Sequence, residues 1–193
     1  MKRLTIAASL CLAAFAAQAQ EEEAANETSF RVGAAAVFAD YSGDPSFPIE
    51  DSGLGVDFYA QAQVSRSFAF ELGYFNSGGF EQDLEPGSTE GPVEIRFGGF
   101  DVAALWYLPL FRDSDTDVDL FLKAGLYDFD IDITVVEGSS KVPGSLGHST
   151  GVLVGAGFVL NVSDNVGVRA VFDWYDVNNA ELWALGLGLE YRF

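Results

Sequence analysis

From Trp183 to Phe193 the chain alternates without exception: Trp183, Leu185, Leu187, Leu189, Tyr191 and Phe193 are large and apolar, and Ala184, Gly186, Gly188, Glu190 and Arg192 stand between them. A period of two is that of an extended strand whose faces meet different surroundings. The same reading along the chain gives eight such segments, at about 30–41, 53–65, 68–76, 93–108, from 118 onward, 149–160, 166–177 and 183–193. In the second, Leu54, Val56, Phe58, Ala60, Ala62 and Val64 oppose Gly55, Asp57, Tyr59, Gln61 and Gln63. The fourth carries Val93, Ile95 and Phe97 and then Phe100, Val102, Ala104, Trp106 and Leu108, so Gly98-Gly99 reads as a β-bulge at a change of phase.

The faces are inverted relative to a water-soluble sheet. Opposite each bulky apolar row stands a row of Gly and Ala with isolated charges, a poor surface for water but a good lining for a narrow barrel. The apolar face therefore looks outward into lipid. A soluble lipocalin-like barrel is the alternative fold, and it would expose the Gly, Ala and single charges instead. Gly at 21 residues and aromatics at 14% fit an all-β chain with many turns.

The connections alternate in length. Those at about 42–52, 77–92 and 136–148 are long, and Ser65-Arg66-Ser67 and 161–165 are short. Long loops on one side and short turns on the other are the pattern of outer-membrane barrels. The connections at 109–117 and 178–181 depart from it, the first being longish and the second short. A Lys or Arg facing mid-membrane lipid costs about 2–4 kcal/mol. Arg31, Lys123, Arg169 and Arg192 all fall on the inner face, Arg66 and Arg112 fall in turns, Lys141 in a loop, and Arg96 on the inner face of the outer part of the fourth strand. Trp174 and Trp183 gather at one end and Phe30, Phe68, Trp106 and Phe193 at the other, where an aromatic girdle belongs. An open edge in hydrocarbon leaves N–H and C=O groups unpaired, so the strands are expected to close on themselves. The fold class is all-β, an eight-stranded antiparallel up-and-down transmembrane β-barrel.

At the N-terminus Lys2 and Arg3 precede an apolar run from Leu4 to Ala16 and then Ala17-Gln18-Ala19. This is a signal peptide over 1–19, leaving a short acidic periplasmic tail over 20–29 and the barrel over 30–193. The only cysteine, Cys11, lies in the leader, outside any lipoprotein context. The formal charge of −19 excludes nucleic acid as a partner. Beyond the leader no run is long enough for a membrane helix, which needs about 18 apolar residues.

The stretch from GVLVGAGFVLNVSDNVGVRAVFDWYDV to ALGLGLEYRF combines a Gly-rich strand, a Ser-Asp-Asn turn, a strand with alternate charges and a terminal strand closing on Tyr-x-Phe. In these features the chain resembles the small eight-stranded outer-membrane barrels, the transmembrane domain of OmpA and its relatives. The resemblance implies insertion by the barrel-assembly machinery, with Tyr191 and Phe193 as the assembly signal, and contact with outer-membrane lipid and lipopolysaccharide. No periplasmic domain is expected after the barrel, and the chain is expected to be a monomer.

The inner face gathers Asp57, Glu71, Asp101, Asp119, Asp173 and Glu190 with Arg31, Lys123, Arg169 and Arg192, and buried charges require partners. A salt-bridged filling of the lumen is the expected role, with a structural or surface-interaction function; a small low-conductance pore is the alternative. Asp128, Asp130 and Asp132 read as a solvated acidic face above the membrane. They are a weak candidate for Ca²⁺ or Mg²⁺ shared with lipopolysaccharide phosphates, without the Gly and closing Glu of an EF-hand loop. No cofactor is implied. His148 beside Ser149 raises a lipid A-modifying enzyme, but neighbours on a strand face opposite ways. The acidic loops with Asp44, Glu50, Asp51, Glu81, Asp83, Glu85 and Glu90 are solvated surface or contact loops.

Overall fold

The structure is a computed structural model and describes residues 29–42, 50–82, 93–113, 116–137, 140–177 and 180–193. The leader, most of the N-terminal tail, and loop residues Asp44, Asp83, Glu85 and Glu90 lie outside them. Eight strands follow in order: β1 Ser29–Ser42, β2 Glu50–Gln63, β3 Phe68–Gln82, β4 Val93–Asp113, β5 Thr116–Glu137, β6 Ser140–Asn161, β7 Val166–Val177 and β8 Ala180–Arg192. Each pairs antiparallel with the next, and β8 returns to β1 to close the barrel.

Closure comes with a stagger. Following paired residues from Arg31 through Gln61, Glu71, Ala103, Gly125, Leu153, Tyr175 and Leu182 leads back to β1 at Tyr41, well above the starting point. Such a stagger tilts the strands and sets the bore. At the lower rim Val64 N–H and Ser65 N–H both donate to Phe68 O, and Val162 N–H and Ser163 N–H both donate to Val166 O. The terminal residue takes part in the closure, since Phe193 N–H donates to Phe30 O at 2.9 Å and Arg192 N–H donates to Asn165 O at 2.8 Å.

The apolar rows face out as the alternation requires. Leu187 is 63% exposed and its neighbour Gly186 is buried. Within the lumen the upper end is packed with rings: Phe75, Tyr127, Phe129 and Tyr175 lie against one another with centroids 4.5–5.6 Å apart, and Tyr41, Phe80 and Phe97 pack with Ile95 in the same cluster. A second cluster of Ala69, Ala103, Leu105, Tyr107, Phe121, Val159 and Val171 lines one wall.

Three expectations are corrected. β4 keeps one phase from Val93 to Leu108: Ile95 and Phe97 are buried in the lumen on the same face as Asp101 and Leu105, and Gly98 and Gly99 pair regularly with Asp130 and Phe129. The bulge lies in β3, where Ser77 and Gly78 stand opposite Phe97 between the pairs Asn76–Gly98 and Gly79–Arg96. Gly78 has φ +74°, and Ser77 Oγ accepts from Phe97 N–H at 3.0 Å. Arg96 accordingly sits on the outer face, paired with Glu94. The connections expected at 109–117 and 136–148 are mostly strand, because β4, β5 and β6 run 21, 22 and 22 residues and pair almost to their tips, with register shifts at Pro109/Phe111 and Ile131/Asp132. Arg112 and Lys141 thus belong to β4 and β6.

Leu187→Arg, at a central position of the lipid-facing wall, is expected to lower the unfolding free energy in lipid vesicles by about 2–4 kcal/mol. Val162→Arg, in the β6–β7 turn, should change it by less than about 1 kcal/mol in the same urea titration.

Candidate functional site: the charged lumen

Each charged residue of the lumen comes from a position at which alternation turns its Cβ inward. Glu71 on β3 is the hub. Its Oε2 accepts from Arg169 Nη1 and from Gln61 Nε2, both at 2.6 Å, and its Oε1 lies 2.9 Å from Lys123 Nζ. Lys123 also reaches Asp101 Oδ1 at 3.3 Å and Asp173 Oδ2 at 3.2 Å, so one ammonium joins carboxylates from β3, β4 and β7. The Arg169 guanidinium lies over the rings of Tyr59 at 4.1 Å and Phe121 at 4.5 Å, contacts that strengthen when water is excluded.

A second group lies toward the lower rim. Arg31 Nη1 donates to Glu190 Oε1 at 2.6 Å and Arg31 Nη2 to Gln63 Oε1 at 3.0 Å. Asn161 Nδ2 donates to Asp119 Oδ2 at 3.3 Å, and Arg192 Nη2 donates to Asn161 Oδ1 at 3.2 Å. Tyr107 O–H donates to Gln61 Oε1 at 2.9 Å, which links the amide of the hub to the aromatic wall. Asp57 is buried, and its Oδ1 has no hydrogen-bond partner among the described residues.

Small residues make room for this. A Cβ at Gly155 would collide with the carboxylate of Asp173, and one at Gly33 would enter the ring of Tyr59. The Gly and Ala rows of the inner face are the space into which the large residues of neighbouring strands fold.

Glu71, Asp101, Lys123, Arg169 and Asp173 are thus joined by ion pairs, Arg31 and Glu190 form a second pair, Arg192 is linked through Asn161 to Asp119, and Asp57 stands beside them with its Oδ1 unpartnered among the described residues. The uncharged members Gln61, Gln63, Tyr59, Tyr107 and Asn161 are missed by a search for charges; their signal is a polar side chain on the inner phase of a strand. Of the girdle residues, Trp174 and Trp183 are direct cross-strand partners 6.3 Å apart, Phe68 pairs with Trp106, and Phe30 pairs with Ala62. Tyr191 and Phe193 point outward with ring centroids 5.0 Å apart.

Asp128, Asp130 and Asp132 line the outer face of β5, beside Thr150, His148 and Ser145 of β6. His148 Nε2 is 2.6 Å from Asp128 Oδ1 and its Nδ1 is 3.5 Å from Asp130 Oδ1. Ser149 points the other way and is buried against Tyr127 O–H at 3.2 Å, so no histidine–serine pair forms. Among the described residues no three His, Asp or Glu side chains converge as metal ligands.

Lys123→Met removes the ammonium shared by three buried carboxylates and is expected to destabilise the barrel by about 3–5 kcal/mol. Arg192→Gln, at the half-buried rim, should cost less than about 1 kcal/mol. Urea unfolding of the vesicle-inserted protein separates the two.

No curated protein sequence matches the chain. Among solved structures it is similar to Ail, the attachment invasion locus protein of Yersinia pestis, at 15% identity and TM-score 0.57, covering 86% of this chain and 99% of Ail. The outer membrane protein OprG of Pseudomonas aeruginosa gives 13% identity and TM-score 0.57, covering 87% and 97%. Neisserial surface protein A gives 19% identity and TM-score 0.54, covering 86% and 98%. At these identities the likeness shows the fold, a closed barrel of outer-membrane type. The family described as outer membrane protein beta-barrel domain matches residues 7–193, nearly the whole sequence, and the chain belongs to that family.

Proposed function

We propose that the protein is an integral, non-enzymatic outer-membrane barrel with a structural or surface-interaction role. The observation that carries this reading is the filled lumen: an ion-paired lower storey beneath a packed aromatic storey whose Phe75, Phe97 and Phe129 are almost fully buried. Such an interior suits a rigid scaffold that presents its extracellular hairpins. On this reading, the leader over 1–19 is removed on export, and Tyr191 and Phe193 direct insertion by the barrel-assembly machinery. The mature monomer then contacts lipid and lipopolysaccharide through its apolar wall and aromatic girdle.

The surface role differs in chemistry from at least one structural neighbour. Ail has been crystallised with a heparin analogue, sucrose octasulfate. In this chain the exposed upper face of β5 carries Asp128, Asp130 and Asp132, and the formal charge is −19. Like charges repel, so a sulfated sugar is a poor ligand for this face.

In planar bilayers the purified protein is expected to add no unit conductance. Stepwise currents would replace the scaffold by a pore. Lipid A from cells expressing the protein and its His148→Ala variant should have identical mass spectra, and a mass change that depends on His148 would make the protein an enzyme.

A further inference from the structure

The longest strands do not share partners along their whole length. β6 pairs with β5 from Asn161 to Ser140, but with β7 only from Asn161 to Leu153. Above that point β7 turns back into β8, and the pairing of those two ends at Val177 and Ala180. The ladder between β6 and β7 stops at a specific contact. The Tyr127 hydroxyl, which also meets Ser149 Oγ at 3.2 Å, donates to Asp176 O across Gly151. A side chain thereby takes the carbonyl that would have extended the ladder.

From Val142 to Thr150, β6 consequently has one strand neighbour, β5, among the described residues. A strand with an unpaired side is a template for another extended chain. Every described residue from Val142 to His148 is exposed, including Val142 and Leu146. Pro143, which has no N–H, and the bulge at Leu146 beside Gly147, with φ +121°, interrupt the edge near its tip. Its regular part therefore runs from Gly147 to Thr150, with Val142 and Leu146 adding apolar contact.

The charges choose the occupant. Asp128, Asp130 and Asp132 form an outward row on β5, and a strand added to β6 would lie about 10 Å from that row, two strand spacings away. A lysine or arginine side chain spans most of that distance, whereas a second copy of this chain would bring an identical acidic row. We propose that the free edge of β6 between Val142 and Thr150 is a strand-addition site for an extended, lysine- or arginine-bearing segment of another protein outside the cell. Backbone hydrogen bonds would supply affinity, and the acidic row would supply selectivity for basic side chains. The proposal rests on the outer-membrane reading above, which places this hairpin outside the cell.

The test uses the full chain folded in detergent micelles and a synthetic peptide of alternating lysine and valine. Binding is read by fluorescence anisotropy, and amide exchange by mass spectrometry over the peptic fragment containing residues 144–150. The lysine peptide should bind and slow exchange there. A glutamate–valine peptide and a lysine peptide with proline at alternate positions should do neither. Combined Asp128→Asn, Asp130→Asn and Asp132→Asn, all at exposed positions, should weaken binding at least tenfold while the heat-modifiable gel migration of a folded barrel is retained. Equal binding of the proline peptide, no effect of the triple variant, or amides already protected without peptide would each overturn strand addition. Loss of conductance-free, heat-modifiable barrel behaviour in the unaltered protein would instead overturn the outer-membrane reading.

Discussion

Hydrocarbon offers no hydrogen-bond partner to a peptide group, and every strand in it must therefore be paired on both sides. The rest of this structure follows from that demand. It requires closure of β8 onto β1, and closure requires the stagger that carries a turn around the barrel from Arg31 to Tyr41. The last residue is used in the seal, through the amide of Phe193 on the carbonyl of Phe30. Where the strands rise above the lipid the demand lapses, because water can satisfy the backbone, and there alone β6 runs on without β7.

The closed ladder leaves a bore that side chains fill. Charges enter it because the outer wall cannot take them, and once inside they need partners. Lys123 and Glu71 meet that need by sharing: one ammonium serves Glu71, Asp101 and Asp173, and one carboxylate serves Lys123, Arg169 and Gln61. These contacts tie strands distant in sequence and stiffen the scaffold from within. The aromatic storey above them packs without polar demands, and together the two storeys make the barrel a support for its hairpins.

Above the lipid band the chemistry of the two faces is exchanged. Within it, Leu and Phe face out and charges face in. Higher up, Asp128, Asp130, Asp132, Glu94 and Arg96 face out, while Phe129, Phe97 and Ile95 face in. Water rather than lipid is now outside, and the lumen becomes an ordinary protein core. This exchange made Ile95 and Phe97 look like lipid-facing residues and produced the illusion of a phase change at Gly98-Gly99. It also placed Arg96 on the wrong face, although β4 keeps its register with β5 through that stretch.

Alternation along the chain was sufficient to establish eight strands, the inversion of their faces and the inward position of Arg31, Glu71, Lys123, Arg169 and Glu190, because side-chain direction in a strand is a local property of period two. The upper part of β6 was hidden, since Gly, Ser and Pro between 138 and 147 suggest a loop until pairing with β5 is seen to hold much of it extended. Which acid meets which base, the bulge in β3 and the length over which β6 runs on past β7 were decided only by the register between strands. Register is a relation between distant segments, set by closure and by how side chains from opposite walls fit the bore, and no single strand carries it.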